Sequence, residues 1–448
     1  AVLYGSSLGR FTGQPTLTTS TITSIRDIAV LDTDGDGDND IVIIGMTASE
    51  GFVQVFRNDG IVPTSRGSEL TNFTRLDAGR ITGTTFSVPR IRVASLNNDA
   101  REDLVIGDGR NARIIVLTGE ANGSMSLVGR FGTGDAVQDI AVADMDLDGD
   151  MDIIVATDVG LSVIIEEGQF NYDSMYTRFV DGGVEALAVD HFNPDTLPDV
   201  ATISGDGYGE LTFYRNRSPI SDAIVLKPIA STVLDLGSVN IGRILVADLD
   251  NDGDNDLTLD GDSSIPIVAV LSDGFLGVQS AQHYEDGRFE RQEGVGLVDV
   301  DGDGDHDLLA VSFASTGQRV LNVHHNLGDG IFHYPAPPTS TFQRVGVAPS
   351  GSVGRSVTGN FNGNARPEFA TFEFDEHSGN DLVSVYLPSE DGILRLATID
   401  LGSNQFSSQF AAGDINGAGR DDLLVYNSPA RRYYTLINNG NGTAWTMP

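Results

Sequence analysis

One acidic phrase occurs four times in this chain: DTDGDGDND at residues 32–40, DMDLDGDMD at 144–152, DLDNDGDND at 248–256 and DVDGDGDHD at 299–307. Each copy holds five aspartates, so twenty of the 64 acidic side chains fall within 36 residues. Apolar runs flank every copy, as IRDIAVL and DIVIIG flank the first. Alignment on the last acid and the apolar run after it exposes weaker copies. Ser95, Asn97, Asp99 and Asp103 stand ahead of LVIG, and His191, Asn193, Asp195 and Asp199 ahead of VATI. Asn360, Asn362, Asn364 and Glu368 stand ahead of FATF, and Asp414, Asn416, Ala418 and Asp422 ahead of LLVY. The first copy starts at 32 and the eighth at 414, which gives a period of about 55 residues. Periods of that size mark solenoids, propellers or arrays.

Within each period the runs read as strands. GFVQVF, RIIVLT, LSVII, ELTFY, PIVAVL, VLNV, LVSVYL and YYTLI each follow an acidic loop. Turn residues close many of them: Asn58-Asp59-Gly60, Gly328-Asp329-Gly330, Asp391-Gly392 and Asn441-Gly442. Such residues adopt the positive φ angles of tight hairpins. The unit is strand, acidic loop, strand, link, strand, turn, strand, which is one four-stranded antiparallel propeller blade. The chain is therefore expected to be all-β, a single β-propeller domain over 1–448 with eight blades, or seven if one copy is displaced. The blades are expected near 23–84, 88–134, 135–181, 182–238, 239–290, 291–350, 351–402 and 403–448. Residues 1–22 are left over. They supply either a strand that closes the ring on blade eight or a strand donated to the sheet edge of another copy, since unpaired edges template such pairing.

Composition excludes several classes. With 27 basic against 64 acidic residues the formal charge is −37, which repels nucleic acid and anionic membranes. No Cys is present, so there is no disulfide framework, thiolate metal site or Cys nucleophile. No apolar run reaches the roughly 18 residues of a membrane helix. The apolar share of 40% on 448 residues is enough for a substantial core. The chain starts at Ala1, as a mature chain does after loss of a targeting segment.

The acidic loops have the spacing of a calcium site. Calcium takes six to eight oxygens at about 2.3–2.6 Å, and carboxylates at alternate loop positions can converge on it, whereas magnesium prefers small octahedral sites that retain water. In the first loop the side chains of Asp32, Asp34, Asp36 and Asp40 and the carbonyl of Asp38 are the candidates, with Gly35 and Gly37 for the sharp turn. The same positions are Asp144, Asp146, Asp148, Asp150 and Asp152 in the second complete loop. They are Asp248, Asp250, Asp252, Asp254 and Asp256 in the third, and Asp299, Asp301, Asp303, Asp305 and Asp307 in the fourth. Carboxylates packed this densely repel one another unless a cation neutralises them. About four Ca²⁺ ions are expected, each clamping the turn between two strands. The loops at 95–103, 191–199, 360–368 and 414–422 have lost carboxylates, and their occupancy stays open.

The loop D-x-D-G-D-G-x-x-D between apolar strands, with a later G-D-G-x-F turn, resembles the FG-GAP/VCBS repeat of integrin-α-like β-propellers. GDGIF at 328–332 and DGRF at 286–289 carry the turn half. The resemblance implies an extracellular or cell-surface protein, calcium in the matching loops, and a role in adhesion, ligand binding or assembly. Integrin propellers have seven blades and a stalk; here there are eight copies and no stalk. The family also includes lectins and some polysaccharide lyases.

Candidate catalytic residues are sparse. A lyase would need a base near a sugar C5 proton and a cation for the uronate, and His324, His333 and Tyr334 cluster around one hairpin. Arg431, Arg432, Tyr433 and Tyr434 form a basic, aromatic patch that reads more simply as an edge strand. A lectin would repeat aromatic platforms between blades, yet aromatics make up 7% of the chain and Trp445 is the one Trp. The reading the residues favour is a non-enzymatic binding or self-assembling protein, its partner a protein, a carbohydrate or a second copy. Sequons at Asn72, Asn122, Asn216 and Asn441 could carry glycans in a glycosylating secretory pathway.

Overall fold

The computed structural model describes residues 3–5, 11–13, 24–47, 50–63, 69–76, 79–81, 89–99, 101–168, 170–172, 174–204, 209–218, 224–234, 236, 241–261, 267–284, 289–299, 303–314, 318–332, 345–349, 356–363, 368–375, 379–389, 392–403, 406–415, 419–427, 432–438 and 445–446. No α-helix occurs among them, and no helix is long and apolar enough to cross a membrane.

Eight antiparallel sheets follow one another along the chain, each built from consecutive strands. Sheet one is Ser24–Leu31, Asp40–Met46, Gly51–Pro63 and Glu69–Arg75, with Gly79–Ile81 also paired to its third strand. Sheet two is Pro89–Ala94, Asp103–Asp108, Arg113–Gly119 and Met125–Gly132; sheet three is Val137–Ala143, Asp152–Thr157, Gly160–Ile165 and Ser174–Phe179. Sheet four is Ala186–Asp190, Asp199–Ile203, Glu210–Asn216 and Leu226–Val233; sheet five is Ile241–Ala247, Asp256–Gly261, Ile267–Ser272 and Val278–Tyr284. Sheet six is Phe289–Val298, Asp307–Ala314, Gln318–His324 and Val345–Pro349. Sheet seven is Ser356–Gly359, Glu368–Asp375, Asn380–Ser389 and Gly392–Ser403; sheet eight is Phe406–Gly413, Asp422–Asn427, Arg432–Asn438 and Trp445–Thr446. All eight second strands begin on the last acid of their loop.

After their leading acid the second strands are rich in apolar residues on both faces, because both faces are covered. Asp103–Asp108 and Asp152–Thr157 are buried at every position. Outer strands alternate instead, as Leu226–Val233 does. The apolar clusters lie between sheets. Ile44 and Val55 of sheet one pack with Ile106 and Ile115 of sheet two. Val105 of sheet two packs with Ile153 of sheet three, and Phe213 of sheet four with Leu257 of sheet five. Val385 of sheet seven packs with Leu423 of sheet eight. First strands of successive sheets are neighbours, and Phe406–Gly413 lies beside Ser24–Leu31. Asn58 Nδ2 crosses that last junction to donate to the Ile415 carbonyl at 2.7 Å. This is a β-propeller of eight four-stranded sheets.

Two expectations change at the ends and turns. The closing strand of sheet eight is Trp445–Thr446, which pairs with Ile437 and Asn438. The leading segment forms its own hairpin, Leu3–Gly5 with Phe11–Gly13, placed beside Arg432–Asn438. Asn58-Asp59-Gly60 is no hairpin turn: the strand runs on to Pro63, and those residues form a bulge between Asn58 and Ile61. Arg432–Asn438 is a third strand rather than an edge; Arg431, like Asp391 and Asn441-Gly442, lies outside the described residues.

Candidate metal centre

Each loop joins the first and second strands of its sheet, and its backbone wraps its own carboxylates. The first-position acid accepts from backbone amides further round the turn: Asp32 from Gly35 at 2.7 Å and Gly37 at 2.9 Å, Asp144 from Gly149 at 3.0 Å. Asp248 accepts from Gly253 at 3.1 Å and Asp299 from Gly304 at 3.2 Å. The sixth residue is in the left-handed region in all four complete loops, at φ 92°, 99°, 92° and 102° for Gly37, Gly149, Gly253 and Gly304. A side chain there would be strained, which explains the glycine. The fifth-position acid accepts from the seventh-position amide at 2.9 Å in each: Asp36 from Asp38, Asp148 from Asp150, Asp252 from Asp254, Asp303 from Asp305.

That winding gathers carboxylates. Asp32, Asp34 and Asp36 each place an oxygen within 4.8 Å of the others, as do Asp144, Asp146 and Asp152, and Asp248, Asp250 and Asp256. In the fourth complete loop Asp301 lies outside the described residues, so its grouping is not described. Asp34 Oδ1 and Asp248 Oδ1 are buried with no hydrogen-bond partner. A buried, unpaired carboxylate oxygen is costly and marks a place where a cation fits. Burial and like-charged neighbours push Asp34, Asp38, Asp250 and Asp254 upward, and Asp146 to about 6. Loss of water comes first among the causes, repulsion between the acids adds to it, and for Asp34 the Arg57 guanidinium offsets part of the rise. Hard, anionic oxygen donors in this number suit Ca²⁺.

The ninth-position acid has a second task. Asp40 accepts from the Thr33 amide at 3.0 Å and from the Asn58 amide at 2.7 Å, tying the loop to the end of the third strand. Asp152 does so with Met145 and Glu166 at 2.8 and 2.9 Å, and Asp256 with Leu249 and Ser272 at 2.8 and 2.7 Å. Asp307 accepts from Asn326 at 2.8 Å. The incomplete loops keep this strut: Asp103 bridges Leu96 and Gly119 at 2.8 and 3.0 Å, and Asp422 bridges Ile415 and Asn438 at 3.1 and 2.7 Å. Asp199 accepts from Asn216 at 2.8 Å, and Glu368 from Phe361 at 2.7 Å. Burial raises several of these carboxyls, Asp40 and Asp152 to about 7 and Asp199 and Asp256 to about 6.

Sequence reading missed a set of asparagines that join neighbouring sheets. Asn58, Asn216, Asn326 and Asn438 lie in or just after a third strand, and each donates Nδ2 to the carbonyl of the second loop residue of the preceding sheet. The acceptors are Ile415 at 2.7 Å, Met145 at 2.6 Å, Leu249 at 2.5 Å and Phe361. Their signal is positional: an Asn 16 to 19 residues after the ninth-position acid in units one, four, six and eight. The sequon at Asn216 is thereby consumed, since its side chain is buried and its amide is engaged. Asn122, by contrast, sits exposed in the Glu120–Ser124 turn. Asn72 lies in the strand Glu69–Arg75, and Asn441 is outside the described residues.

Of the residues a lyase would use, only His324 lies among the described residues. His324 is 3% exposed and packs edge-on against Tyr284 at 6.4 Å, and His333 and Tyr334 are outside the described residues.

Residues 96–155 match the family described as the FG-GAP-like repeat. No curated protein matches the sequence. Among solved structures, Sqt1 from Chaetomium thermophilum covers 94% of this chain and 99% of its own at 12% identity, with a TM-score of 0.54. The exotype rhamnogalacturonan lyase YesX covers 93% of this chain and 72% of its own at 12% identity and a TM-score of 0.50. An Agrocybe aegerita protein that recognises non-reducing terminal N-acetylglucosamine covers 70% and 80% at 16% identity and a TM-score of 0.47. At these identities the likeness is one of fold. The chain carries an FG-GAP-like repeat in a β-propeller.

Proposed function

We propose that this chain is a closed, eight-bladed, calcium-stabilised propeller that works outside the cell as a non-enzymatic binding, adhesion or self-assembling protein. The observation that carries the calcium reading is the three-carboxylate grouping at one place in blades one, three and five, with Asp34 Oδ1 and Asp248 Oδ1 buried and unpaired. The acids of the fourth complete loop, 299–307, fill a fourth site of the same sequence. Calcium neutralises the acid cluster when bound. Asp32, Asp34 and Asp36, and their counterparts, hold it while the backbone amides of the loop orient their carboxylates. A stabilising role of this kind needs the calcium levels found outside cells, and with no Cys the ions take the part that disulfides have in many secreted proteins.

Two measurements test it. Native mass spectrometry in calcium buffer is expected to count four ions. Chelation is expected to lower the melting temperature, because a ligand held only by the folded state stabilises it by about 2.7 kcal/mol per site at a hundredfold excess over Kd. An unchanged melting curve with no bound ion overturns the calcium reading. For assembly, removal of residues 1–13 and a comparison of oligomeric size by light scattering decides whether the leading hairpin joins copies.

A further inference from the structure

In the incomplete loops two and four an arginine guanidinium pairs closely with the fifth-position acid, whereas in complete loop one Arg57 approaches Asp34 only to 3.9 Å. In loop two Arg101 Nη2 pairs with Asp99, the fifth-position acid, while its Nε donates to the Gly119 carbonyl at 2.9 Å. Asp99 also accepts from the Arg101 amide at 2.8 Å and from Asn97 Nδ2 at 2.9 Å. In loop four the guanidinium comes from the third strand instead: Arg215 Nη2 and Nε reach Asp195 Oδ2, again the fifth-position acid, at 2.9 and 3.3 Å. The two arginines arrive from different places in the chain and neutralise the same loop position.

The seventh position follows the same division. It is Asp38, Asp150, Asp254 and Asp305 in the complete loops, but Arg101, Leu197, Arg366 and Arg420 in the incomplete ones. The loop without an arginine there, loop four, is the one that receives Arg215. In loop eight Arg420 lies against Gly363 of loop seven, carrying its charge to the neighbouring incomplete loop. Acid at position seven thus goes with a carboxylate cluster, and arginine goes with its absence.

We propose that loops two and four are metal-free by construction, and that Arg101 and Arg215 supply in covalent form the positive charge that a divalent cation supplies to the complete loops. A guanidinium meets a carboxylate through a planar fork of donors and cannot be removed by a chelator or by neutral pH. Four of the eight blades are then stapled in a calcium-dependent way and blades two and four in a calcium-independent way. This goes beyond the calcium reading, because it assigns the cation in loops that reading leaves open.

Hydrogen exchange read by mass spectrometry, loop by loop, with and without a chelator, tests it on the full chain. Chelation is expected to speed exchange in 32–40, 144–152, 248–256 and 299–307 and to leave 95–103 and 191–199 unchanged. Arg101→Gln and Arg215→Gln are each expected to speed exchange in their own loop about threefold, the scale of a partly exposed ion pair, equally in both buffers. Arg215→Lys, which keeps the charge, is expected to retain part of the protection. Faster exchange of 95–103 and 191–199 on chelation overturns the proposal, and so does a glutamine variant whose loop stays as protected as before. If chelation moves none of the eight loops the calcium reading fails, while the two glutamine variants still decide this one.

Discussion

The third strands of blades one and four carry the same two residues, Arg57-Asn58 and Arg215-Asn216, yet use them differently. The asparagines act alike, each donating its backbone amide to its ninth-position acid and its Nδ2 to the preceding blade. The arginines part company. Arg215 turns onto Asp195 of its own loop. Arg57 pairs with Asp59 and the Asn122 carbonyl and stays 3.9 Å from Asp34. Where the loop keeps three converging carboxylates the arginine is directed away, and where it keeps one acid the arginine takes it. Framework and charge neutralisation are therefore separate layers: every blade has the first, and blades differ in the second.

Substitutions in the framework should have the largest effect and should not distinguish the two blades. Asp40→Ala leaves the buried amides of Thr33 and Asn58 without their acceptor, and Asp199→Ala does the same to Asn216. At about 1–3 kcal/mol for each buried group left unpaired, losses of roughly 2–5 kcal/mol are expected for Asp40→Ala and roughly 1–3 kcal/mol for Asp199→Ala, measured by urea unfolding in calcium buffer. A loss confined to blade one would mean that the ninth-position acid acts through an ion alone, and the two-layer division would fall.

The second layer should separate the blades. Asp34→Ala is expected to remove one calcium from the native mass spectrum and to lower the melting temperature only when calcium is present. Asp195→Ala should leave the ion count untouched and destabilise equally with a chelator. A smaller effect follows from the buried carboxyls. Asp40 and Asp152 are raised to about 7 and Asp199 and Asp256 to about 6 by burial, from an ordinary value of 3.8. Between pH 4 and 7 the folded chain therefore binds more protons than the unfolded one. Stability in chelator is complete below that window and lost as pH rises through it. The melting temperature in chelator is expected to be higher at pH 5 than at pH 7.5. Added calcium should flatten the slope, because the ion competes with protons for the loop acids. A melting temperature that climbs toward pH 7.5 in chelator contradicts the sign.

The repeat was legible because strand two carries an apolar run on both faces and each loop announces itself with acid, so period, strand count and loop placement could all be read. Three things were not. The ninth-position acid reads as a ligand, since an aspartate that braces two amides and one that holds a metal look the same in a sequence. Asp103, Asp199 and Asp422 disclose the brace only because the loops around them have lost other acids. Asn58-Asp59-Gly60 reads as a hairpin because local turn preference is strong, but continued pairing as far as Pro63 with Glu69 overrides it. Arg215 and Asp195 lie 20 residues apart, and nothing local to either predicts their meeting.

The asparagine pair offers the finest test, because it sets a residue common to both blades against a modification signal. Asn216 and Asn122 both stand in sequons, but Asn216 is 1% exposed and spends Nδ2 on the Met145 carbonyl at 2.6 Å. A glycan attaches at that nitrogen and needs it at the surface. Secretion from a glycosylating host is therefore expected to give a glycan at Asn122 and none at Asn216, read by peptide mapping. Asn216→Ala should cost about 1 kcal/mol for a lost hydrogen bond plus the unpaired carbonyl, and Asn58→Ala about the same, since both cross a blade junction in one geometry. Occupancy at Asn216 would place that side chain in solvent, and the bond that ties blade four to blade three could not then form.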